Sequence, residues 1–472
     1  MDEPLPTSNY RPERAIGEIA DFIADPVKAA DFPRHILRFR NDRAAASVGL
    51  AALDDDTWIG HFGRFEPLPD AQPQPLALRY HGHQFRVYNP DLGDGRGFLF
   101  AQLREAADAG APPYGGRLLD LGTKGSGLTP YSRTADGRLT LKGGVREILA
   151  TEMLEALGVT TSRSFSLVET GESLIRGDEP SPTRAAVLVR MSHGHIRIGS
   201  FQRLAYHDLK DETQRLIDYC LRHLLAREAG DNAALTLLDA VVTRTADLAA
   251  SYMVAGFVHG VLNSDNIAIT GESFDYGPWR FTPRWTPGFT AAYFDQTGLY
   301  AFSRQAEAIH WDVAQLAQSL VAFAETEALV EVLRRYPALY EERLIARFLW
   351  RLGLAGGAAE ARAFVTAAVQ ALMGSEVEID RFFFDWRRGE TDGAPYTGGA
   401  WDKARAALPA LTPRSGAADH PYWQGAAPCS MHIDEVEAIW AAIDERDDWT
   451  PLHDKVAAIR AMGAAHGERP AA

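Results

Sequence analysis

The residues best suited to chemistry stand in two short runs, His259-Gly-Val-Leu-Asn-Ser-Asp265-Asn266 and Asp275-Tyr-Gly277. Side chains such as Asn266 and Asp275 can each give an oxygen atom to Mg²⁺, which prefers octahedral oxygen coordination. Asp265, next to Asn266, is a carboxylate that could accept a proton. A turn that only caps backbone groups uses the same residue types. Because the residues come as an ordered set, we interpret them as a metal-binding catalytic loop.

A glycine-rich run, Asn89-Pro-Asp-Leu-Gly-Asp-Gly-Arg-Gly97, lies between two predicted strands. Gly93 and Gly95 allow the backbone to come close to a ligand and to turn its N–H groups toward phosphate oxygens, and Arg96 adds positive charge. A plain hairpin turn would also be rich in glycine. The run is therefore a candidate phosphate-binding loop, and this interpretation depends on the other motifs in the sequence.

Four further charged residues are candidates for nucleotide contacts. Lys124 ends a predicted strand, and Glu147 on the following helix could hold it as an ion pair, as kinase-like folds hold their nucleotide lysine. Arg190 and Arg197 follow another strand, where guanidinium groups could clamp phosphate. Alternatively, the lysine and the glutamate are exposed, and the arginines form salt bridges at the surface or between lobes.

The run from His259 follows a long predicted helix, where the catalytic loop of a protein kinase would begin. Kinases read His-x-Asp, four residues, then Asn, and later Asp-Phe-Gly. His259 and Asn266 keep this spacing, but Val261 occupies the position of the catalytic aspartate. An aliphatic side chain cannot accept a substrate proton. Either the site is inactive or another group does this work, and Asp265 lies beside the metal-binding Asn266.

The elements that would position these residues change in character along the chain. Up to about residue 200, short apolar runs bounded by Gly, Pro and Asp predict strands. The strands fall at residues 97–101, 117–121, 164–168 and 185–189. One helix interrupts them between Val145 and Leu157, and Gly158 stops it.

After about residue 205 the helical period dominates. Helices are predicted at 216–225, 233–258 and 311–321, then to about 373, with an irregular stretch at 386–430 and a last helical segment at 433–462. A sheet-rich half followed by a helix-rich half predicts an α+β fold with a cleft between two lobes.

Composition and charge exclude several classes of protein. The chain has 48 Lys and Arg against 63 Asp and Glu, a net charge of −15, so we expect no nucleic-acid partner, because duplex binding needs clustered positive charge. Two cysteines, Cys220 and Cys429, are too few for a disulfide framework and suit a reducing cytoplasm. The N-terminus lacks an apolar signal segment, and no stretch approaches about 18 consecutive apolar residues. We therefore expect a cytoplasmic protein that does not engage a membrane.

Together these motifs resemble the selenoprotein O family of protein adenylyltransferases, a pseudokinase family. The resemblance runs from about residue 41 to residue 320 and rests on many short motifs in one order. They are Tyr80-His-Gly-His-Gln-Phe85, Leu92-Gly-Asp-Gly-Arg96, Lys124-Gly-Ser-Gly-Leu-Thr-Pro-Tyr-Ser-Arg133, Asp136-Gly-Arg138, Arg146-Glu147, His259-Gly-Val-Leu-Asn-Ser-Asp-Asn266 and Phe274-Asp-Tyr-Gly-Pro278.

The resemblance implies a protein-kinase-like fold of two lobes, a sheet-rich N-lobe with one key helix and a helical C-lobe. Residues 1–75 would be a lead-in that packs on the lobes, and residues 76–200 would form the N-lobe. Residues 201–385 would form the C-lobe with the catalytic and metal-binding loops, followed by a C-terminal extension at 386–472.

In that family ATP binds in reverse, with its α-phosphorus toward the acceptor. The resemblance implies transfer of AMP from ATP to Ser, Thr or Tyr hydroxyls of proteins, with release of pyrophosphate and dependence on Mg²⁺ or Mn²⁺. Asp265 would be the proton acceptor, Asn266 and Asp275 would bind the metal, and Glu147 would pair with Lys124. The nucleotide would contact Gly93, Gly95, Arg96, Lys124, Asp136, Gly137, Arg190, Arg197 and Asp275.

The sequence departs from the family in its C-terminal half. It reads Ala291-Ala-Tyr-Phe-Asp295 where family members usually have Cys-Asn-His-Ser-Asp, and the usual tail with a cysteine or selenocysteine is missing. We therefore expect no redox-controlled disulfide, with Cys220 in the core and Cys429 without an evident partner. The main alternative is a catalytically silent nucleotide-binding scaffold; UMP transfer from UTP and conventional phosphotransfer are the others.

Overall fold

Apolar runs broken by glycine and proline fold into short strands, and the longer amphipathic runs fold into helices. The computed structural model describes residues 9–106, 116–177 and 179–469, and in these ranges the fold is α+β, as predicted. The strands are β1 (Pro12–Glu13), β2 (Ala24–Pro26), β3 (Ile36–Arg40), β4 (Leu76–Leu78), β5 (Gly82–Gln84), β6 (Val87–Asn89), β7 (Leu99–Arg104), β8 (Leu118–Lys124), β9 (Leu139–Thr140), β10 (Arg163–Leu174), β11 (Thr183–Ser192), β12 (Phe257–Val258), β13 (Arg280–Phe281), β14 (Leu354–Ala355) and β15 (Thr412–Pro413).

The helices become frequent after the last long strand. They are α1 (Ala20–Ile23), α2 (Asp42–Ser47), α3 (Asp55–Phe62), α4 (Leu141–Ala156), α5 (Ile198–Tyr206), α6 (Lys210–Tyr219), α7 (Ala233–Ala255), α8 (Gln305–Ser319), α9 (Thr326–Leu333), α10 (Tyr336–Leu352), α11 (Ala358–Met373), α12 (Ile379–Arg387), α13 (Gly399–Ala407), α14 (Ile433–Arg446) and α15 (Thr450–His466).

One antiparallel sheet dominates the first 200 residues. Its order is β2-β4-β7-β8-β11-β10-β3, with β1 beside β7 and β9 beside β11. The central strands β7 and β8 are buried along their whole length, so both faces of the sheet are covered at this point. All four strands predicted from the sequence belong to this sheet.

The first 75 residues contribute to the sheet as well as packing on it. Strands β2 and β3 form its two ends, and α2 and α3 cover one of its faces. Trp58 of α3 stacks on Phe165 of β10 at 4.9 Å between ring centroids, and its indole N–H donates to Ser166 Oγ at 2.9 Å. The predicted lead-in is thus part of the core of the sheet.

Helix α4 crosses the other face of the sheet. Its first turn is capped by Thr140, whose hydroxyl accepts a hydrogen bond from the Gly143 N–H at 3.1 Å, and it ends where Gly158 adopts a φ of +78°. The apolar face of α4, including Ile148 and Met153, belongs to the largest core cluster, which continues into α7 and α8. This helix therefore joins the sheet to the helices that follow.

The C-terminal helices bind to α4 through ion pairs. Arg460 of α15 makes two hydrogen bonds to the Glu152 carboxylate of α4, at 2.8 and 2.6 Å. Glu437 of α14 accepts a bond from Lys142 at 2.6 Å. The predicted C-terminal extension therefore fixes α4 from the side opposite the sheet.

The last helical segment was predicted as one unit and is two helices. Asp447 adopts a φ of +51° and ends α14, and its carboxylate accepts hydrogen bonds from Arg184 and from the indole of Trp449. Asp448 accepts a hydrogen bond from the N–H of Thr450, the first residue of α15, at 3.0 Å. The irregular stretch predicted at 386–430 also contains the short helix α13.

No helix in the described ranges is both long enough and apolar enough to cross a lipid bilayer. Both cysteines are free thiols, and Cys220 is fully buried in the core, as predicted.

A buried ion pair holds the helices to the end of α4. Arg347 of α10 donates to both carboxylate oxygens of Asp247 on α7, one of them at 2.9 Å, and both side chains are almost completely buried. A third bond runs from Arg347 to the carbonyl of Gly158 at 2.5 Å. One guanidinium thus joins α10, α7 and the turn after α4.

Replacing this arginine tests its structural role. Arg347→Met should lower the free energy of unfolding by about 3–5 kcal/mol, because it leaves Asp247 buried without a counter-charge. The control is Arg334→Met, which breaks an exposed pair with Glu331 and should cost less than about 1 kcal/mol. Urea denaturation of the two variants measures the difference, and equal losses would contradict the assignment.

Candidate active site

The Asp275 carboxylate lies among three cationic side chains. Its Oδ1 is 3.1 Å from Arg190 and 3.4 Å from Lys124, and its Oδ2 is 3.7 Å from Arg197. These cations, above all Arg190, hold the pKa of Asp275 well below its usual range in spite of burial, which acts to raise it. Asp275 itself adopts a φ of +64°, a conformation that a non-glycine residue takes only where its surroundings enforce it.

Glu147 provides the second negative charge of this cluster. Its carboxylate accepts a hydrogen bond from Lys124 Nζ at 2.6 Å and lies 3.5 Å from Arg190. The side chains of Lys124 and Glu147 are only 5% and 1% exposed, so each requires the charge of the other. The predicted pair between strand β8 and helix α4 is confirmed.

Asp265 lies in a short helical turn, Ser264–Asn266, just after Asn263. Its side chain is buried, its Oδ1 has no hydrogen-bond partner among the described residues, and burial raises its pKa to about 6. A carboxylate with a free oxygen and a pKa near 6 is suited to accept a proton at neutral pH.

The hairpin of β5 and β6 holds this loop in place. The backbone N–H of His83 donates to Ser264 Oγ at 2.7 Å, and that of Phe85 donates to Asn263 Oδ1 at 3.1 Å. A Cβ atom at Gly82 would lie 2.7 Å from Oδ1 of Asp265, so only glycine allows this approach. Two backbone N–H groups of the Tyr80–Phe85 motif therefore hold this loop.

His259 ties the loop to the segment that carries Asp275. Its ring Nε2 lies 3.1 Å from the carbonyl of Phe274, and its backbone N–H donates to Gln305 of α8 at 3.0 Å. The ring is buried, and burial lowers its pKa, so it acts here as a neutral hydrogen-bonding group.

The amide of Asn266 has one oxygen available for a ligand. Its Nδ2 donates to the carbonyl of Val261 at 3.1 Å, which fixes the orientation of the group. With the Asp275 carboxylate in the same cavity and the unpartnered oxygen of Asp265 beside it, the site offers the hard oxygen donors that Mg²⁺ or Mn²⁺ prefers. These residues fit a divalent cation.

The glycine-rich run lines the same cavity, although not all of its glycines serve a ligand. A Cβ atom at Gly93 would lie 2.3 Å from the ring of Tyr131, so this residue is glycine because a neighbouring side chain packs against it. Arg96 faces the cavity, and its charge is one of those that lower the pKa of Asp275.

A cavity of about 420 Å³ brings most of the predicted site residues together. The predicted residues that line it are Gly93, Gly95, Arg96, Lys124, Arg190, Arg197, Asp265, Asn266 and Asp275. Asp136 and Gly137 are not among its lining residues, although the adjacent Ala135 is. The carboxylate of Asp136 binds Arg176 at 2.8 Å instead.

Three residues of the site were missed in the sequence. Asp94 is buried between the Leu78 N–H and Arg197, at 3.0 and 3.3 Å from its two carboxylate oxygens, and burial raises its pKa. Tyr131 and Arg133 line the cavity beside it. Asp94 stands between Gly93 and Gly95, and the other two belong to the run from Lys124 to Arg133. Their membership of recognised motifs was therefore the available signal.

The substituted stretch 291–295 is ordered by its last residue. Asp295 accepts hydrogen bonds from the backbone N–H groups of Leu299 and Tyr300, both at 2.8 Å. The hydroxyl of Tyr300 then donates to Asn263 Oδ1 at 2.7 Å. The segment is thus connected to the catalytic loop without a cysteine. It leaves Tyr293 and Phe294 84% and 45% exposed.

Comparison with known proteins agrees with this geometry. The family model described as "Protein adenylyltransferase SelO" matches residues 5–397. The chain is 41% identical to a protein nucleotidyltransferase YdiU of Synechocystis sp. over 97% of this chain and 98% of the relative. It is also 41% identical to a protein of the same name from Gloeobacter violaceus, over 97% and 96%. A relative of that name in Azotobacter vinelandii is 35% identical over 78% and 73%. The chain therefore belongs to the SelO family and is a nucleotidyltransferase.

Proposed function

We propose that this enzyme transfers AMP from ATP to Ser, Thr or Tyr hydroxyls of proteins. The acceptor oxygen forms a bond to the α-phosphorus, the bond from that phosphorus to the bridging oxygen breaks, and pyrophosphate leaves. Asp265 receives the hydroxyl proton. The observation that carries the proposal is the buried, unpartnered carboxylate of Asp265 in the cavity that also holds Lys124 and Asp275.

The proposed layout is that of a protein kinase with the nucleotide reversed. The pair between Lys124 and Glu147 has the role that such a pair has in kinases, where it positions nucleotide phosphates. The position of the usual kinase base is the aliphatic Val261, which supports a different acceptor for the proton and therefore a different placement of the reacting phosphorus.

Asn266 and Asp275 would hold Mg²⁺ or Mn²⁺. The bound cation would neutralise charge on the phosphate oxygens. Around it, Arg96, Arg190 and Arg197 are placed to bind phosphate oxygens, and burial in the cavity strengthens these interactions by excluding water.

The acceptor is proposed to be a polypeptide in the cytoplasm. Phe85, Tyr293 and Phe294 form a group of aromatic rings that is partly exposed and connected to the catalytic loop through Tyr300. Exposed apolar rings of this kind are typical of protein-binding surfaces. The net charge of −15 supports a partner other than nucleic acid.

Two alternatives follow from particular observations. The changed stretch 291–295 would be consistent with a silent nucleotide-binding scaffold. The relatives carry the general name nucleotidyltransferase, which is equally compatible with transfer of UMP from UTP.

Intact mass separates these reactions. The purified protein is incubated with a general protein acceptor, Mg²⁺ or Mn²⁺, and either ATP or UTP. We expect a gain of about 329 Da, the mass of an AMP group, with ATP. A gain of about 306 Da with UTP alone would replace AMP by UMP, and about 80 Da would mean phosphate transfer. No gain, with ATP still bound, would favour the scaffold.

Removing the proposed metal ligand should abolish transfer. Asp275→Ala should lower the rate by about 100-fold or more, because the phosphate charge is no longer neutralised. Asp402→Ala, which removes an exposed carboxylate on α13, is the matched control and should retain the wild-type rate. Transfer assays at saturating ATP, with circular dichroism to confirm folding, make the comparison. A wild-type rate in Asp275→Ala would overturn the metal assignment.

The pH dependence should report Asp265. Because burial raises its pKa to about 6, the carboxylate form that accepts a proton is present above that pH. Asp275 stays ionised through this range, since its pKa is well below the usual value. We expect kcat/KM to fall below about pH 6 and to be lowered about 100-fold in Asp265→Asn. A profile that stays flat down to about pH 4.5, near the ordinary carboxyl range, would contradict this role.

A further inference from the structure

A second cavity, of about 430 Å³, lies at the end of β8 opposite Lys124. Arg117 precedes β8, the strand that ends at Lys124, and His193 follows β11, the strand that contains Arg190. A strand of seven residues spans roughly 20 Å, so this cavity is separate from the one described above. We name it the arginine cavity.

Positive charge dominates its lining. Six arginines contribute to it, against one carboxylate. The arginines are Arg104, Arg117, Arg222, Arg227, Arg244 and Arg469. The carboxylate, that of Asp247, is already bound through both oxygens to Arg347. The chain has a net charge of −15, so its overall composition does not explain this local concentration of positive charge.

Some of these cations have partners. Arg117 makes two bonds to the carboxylate of Glu105, at 2.7 and 2.8 Å. Arg222 binds Glu18 at 3.0 Å. Arg104 binds Glu13 at 3.1 Å as well, so three of the six arginines have carboxylate partners.

Arg227 and Arg244 have no ion-pair partner in the described ranges. The guanidinium of Arg244 reaches only the backbone carbonyls of Leu224 and Leu225, at the long distances of 3.3 and 3.4 Å. Burial, together with the charges of Arg227 and Arg117, lowers the pKa of Arg244 to about 10. These cations therefore repel one another, which destabilises the protein unless an anion is bound.

A buried hydroxyl in the same lining also lacks a partner. Thr270 is 5% exposed, and its Oγ1 makes no hydrogen bond to any residue that the structure describes. An unsatisfied buried polar atom costs free energy, which a ligand that accepts its hydrogen bond would recover. Arg244 and Thr270 thus line the same cavity.

We infer that the arginine cavity binds a compact polyanion, a small molecule with at least two linked phosphate groups. Guanidinium groups match phosphate oxygens in geometry and retain their charge when buried. More than one negative charge is required, because more than one arginine is uncompensated. Asp275 follows Thr270 by five residues in the sequence. A ligand in the cavity would therefore lie next to the segment that carries the proposed metal ligand of the active site. The inference does not depend on the proposed transfer of AMP.

Calorimetric titration with inorganic tripolyphosphate and, separately, with ADP tests the inference on the full chain. The variant Lys124→Ala weakens binding in the active site and should keep the binding that belongs to the arginine cavity. Arg227→Glu should weaken that binding by about tenfold or more, because it replaces an attractive charge with a repulsive one. Arg334→Glu, the same change at an exposed position on the surface, is the matched control and should have no effect.

The two ligands distinguish the source of the phosphates. Binding of ADP that is lost in Arg227→Glu supports a nucleotide, and binding of tripolyphosphate alone supports an inorganic polyanion. The inference is overturned if Lys124→Ala binds neither ligand, or if Arg227→Glu binds both as well as Arg334→Glu does.

Discussion

The structure depends on one buried network of charges, in which Asp275 and Glu147 hold Lys124, Arg190 and Arg197. Ionised groups are costly to bury unless each meets its counter-charge with good geometry. The five groups come from five places in the fold, two strands, helix α4, the start of α5 and the loop after the catalytic turn. Because each of these charges needs its counter-charge, the network fixes the positions of the sheet, α4 and the later helices relative to one another.

The elements around the network support it by close contact. Helix α4, which carries Glu147, is held on one side by the sheet and on the other by Arg460 of α15. The backbone of the β5–β6 hairpin holds the loop that contains Asp265, and the absence of a Cβ at Gly82 permits the approach. As a result Oδ1 of Asp265 is buried and has no hydrogen-bond partner among the described residues, which a mobile exposed loop could not achieve.

Much of this could be predicted from the sequence because its signals are local. The four strands, α4 with its stop at Gly158, the pair of Lys124 with Glu147 and the ordered catalytic run all depend on spacing along the chain. What could not be predicted depends on long-range contacts. Nothing local indicates that Asp136 would bind Arg176, 40 residues further on, or that Asp94 would be buried against Arg197.

Long-range contacts also explain the other features that the sequence did not predict. Strands β2 and β3 are short, and only their pairing within the sheet identifies them as part of its core. The break at Asp447 depends on hydrogen bonds from Arg184, in a distant strand. The arginine cavity collects residues from eight separate segments, none of which is unusually basic by itself. Tertiary contacts thus determine the features that local sequence patterns do not predict.

We propose that the α-phosphorus of ATP reacts, because Asp265 and not a residue at position 261 accepts the proton. The most direct measurement uses ATP carrying a radioactive label at either the α- or the γ-phosphate, with a protein acceptor and Mg²⁺ or Mn²⁺. The account predicts that the acceptor gains the label from the α-position and none from the γ-position. Label gained from the γ-position would show phosphate transfer and would contradict it.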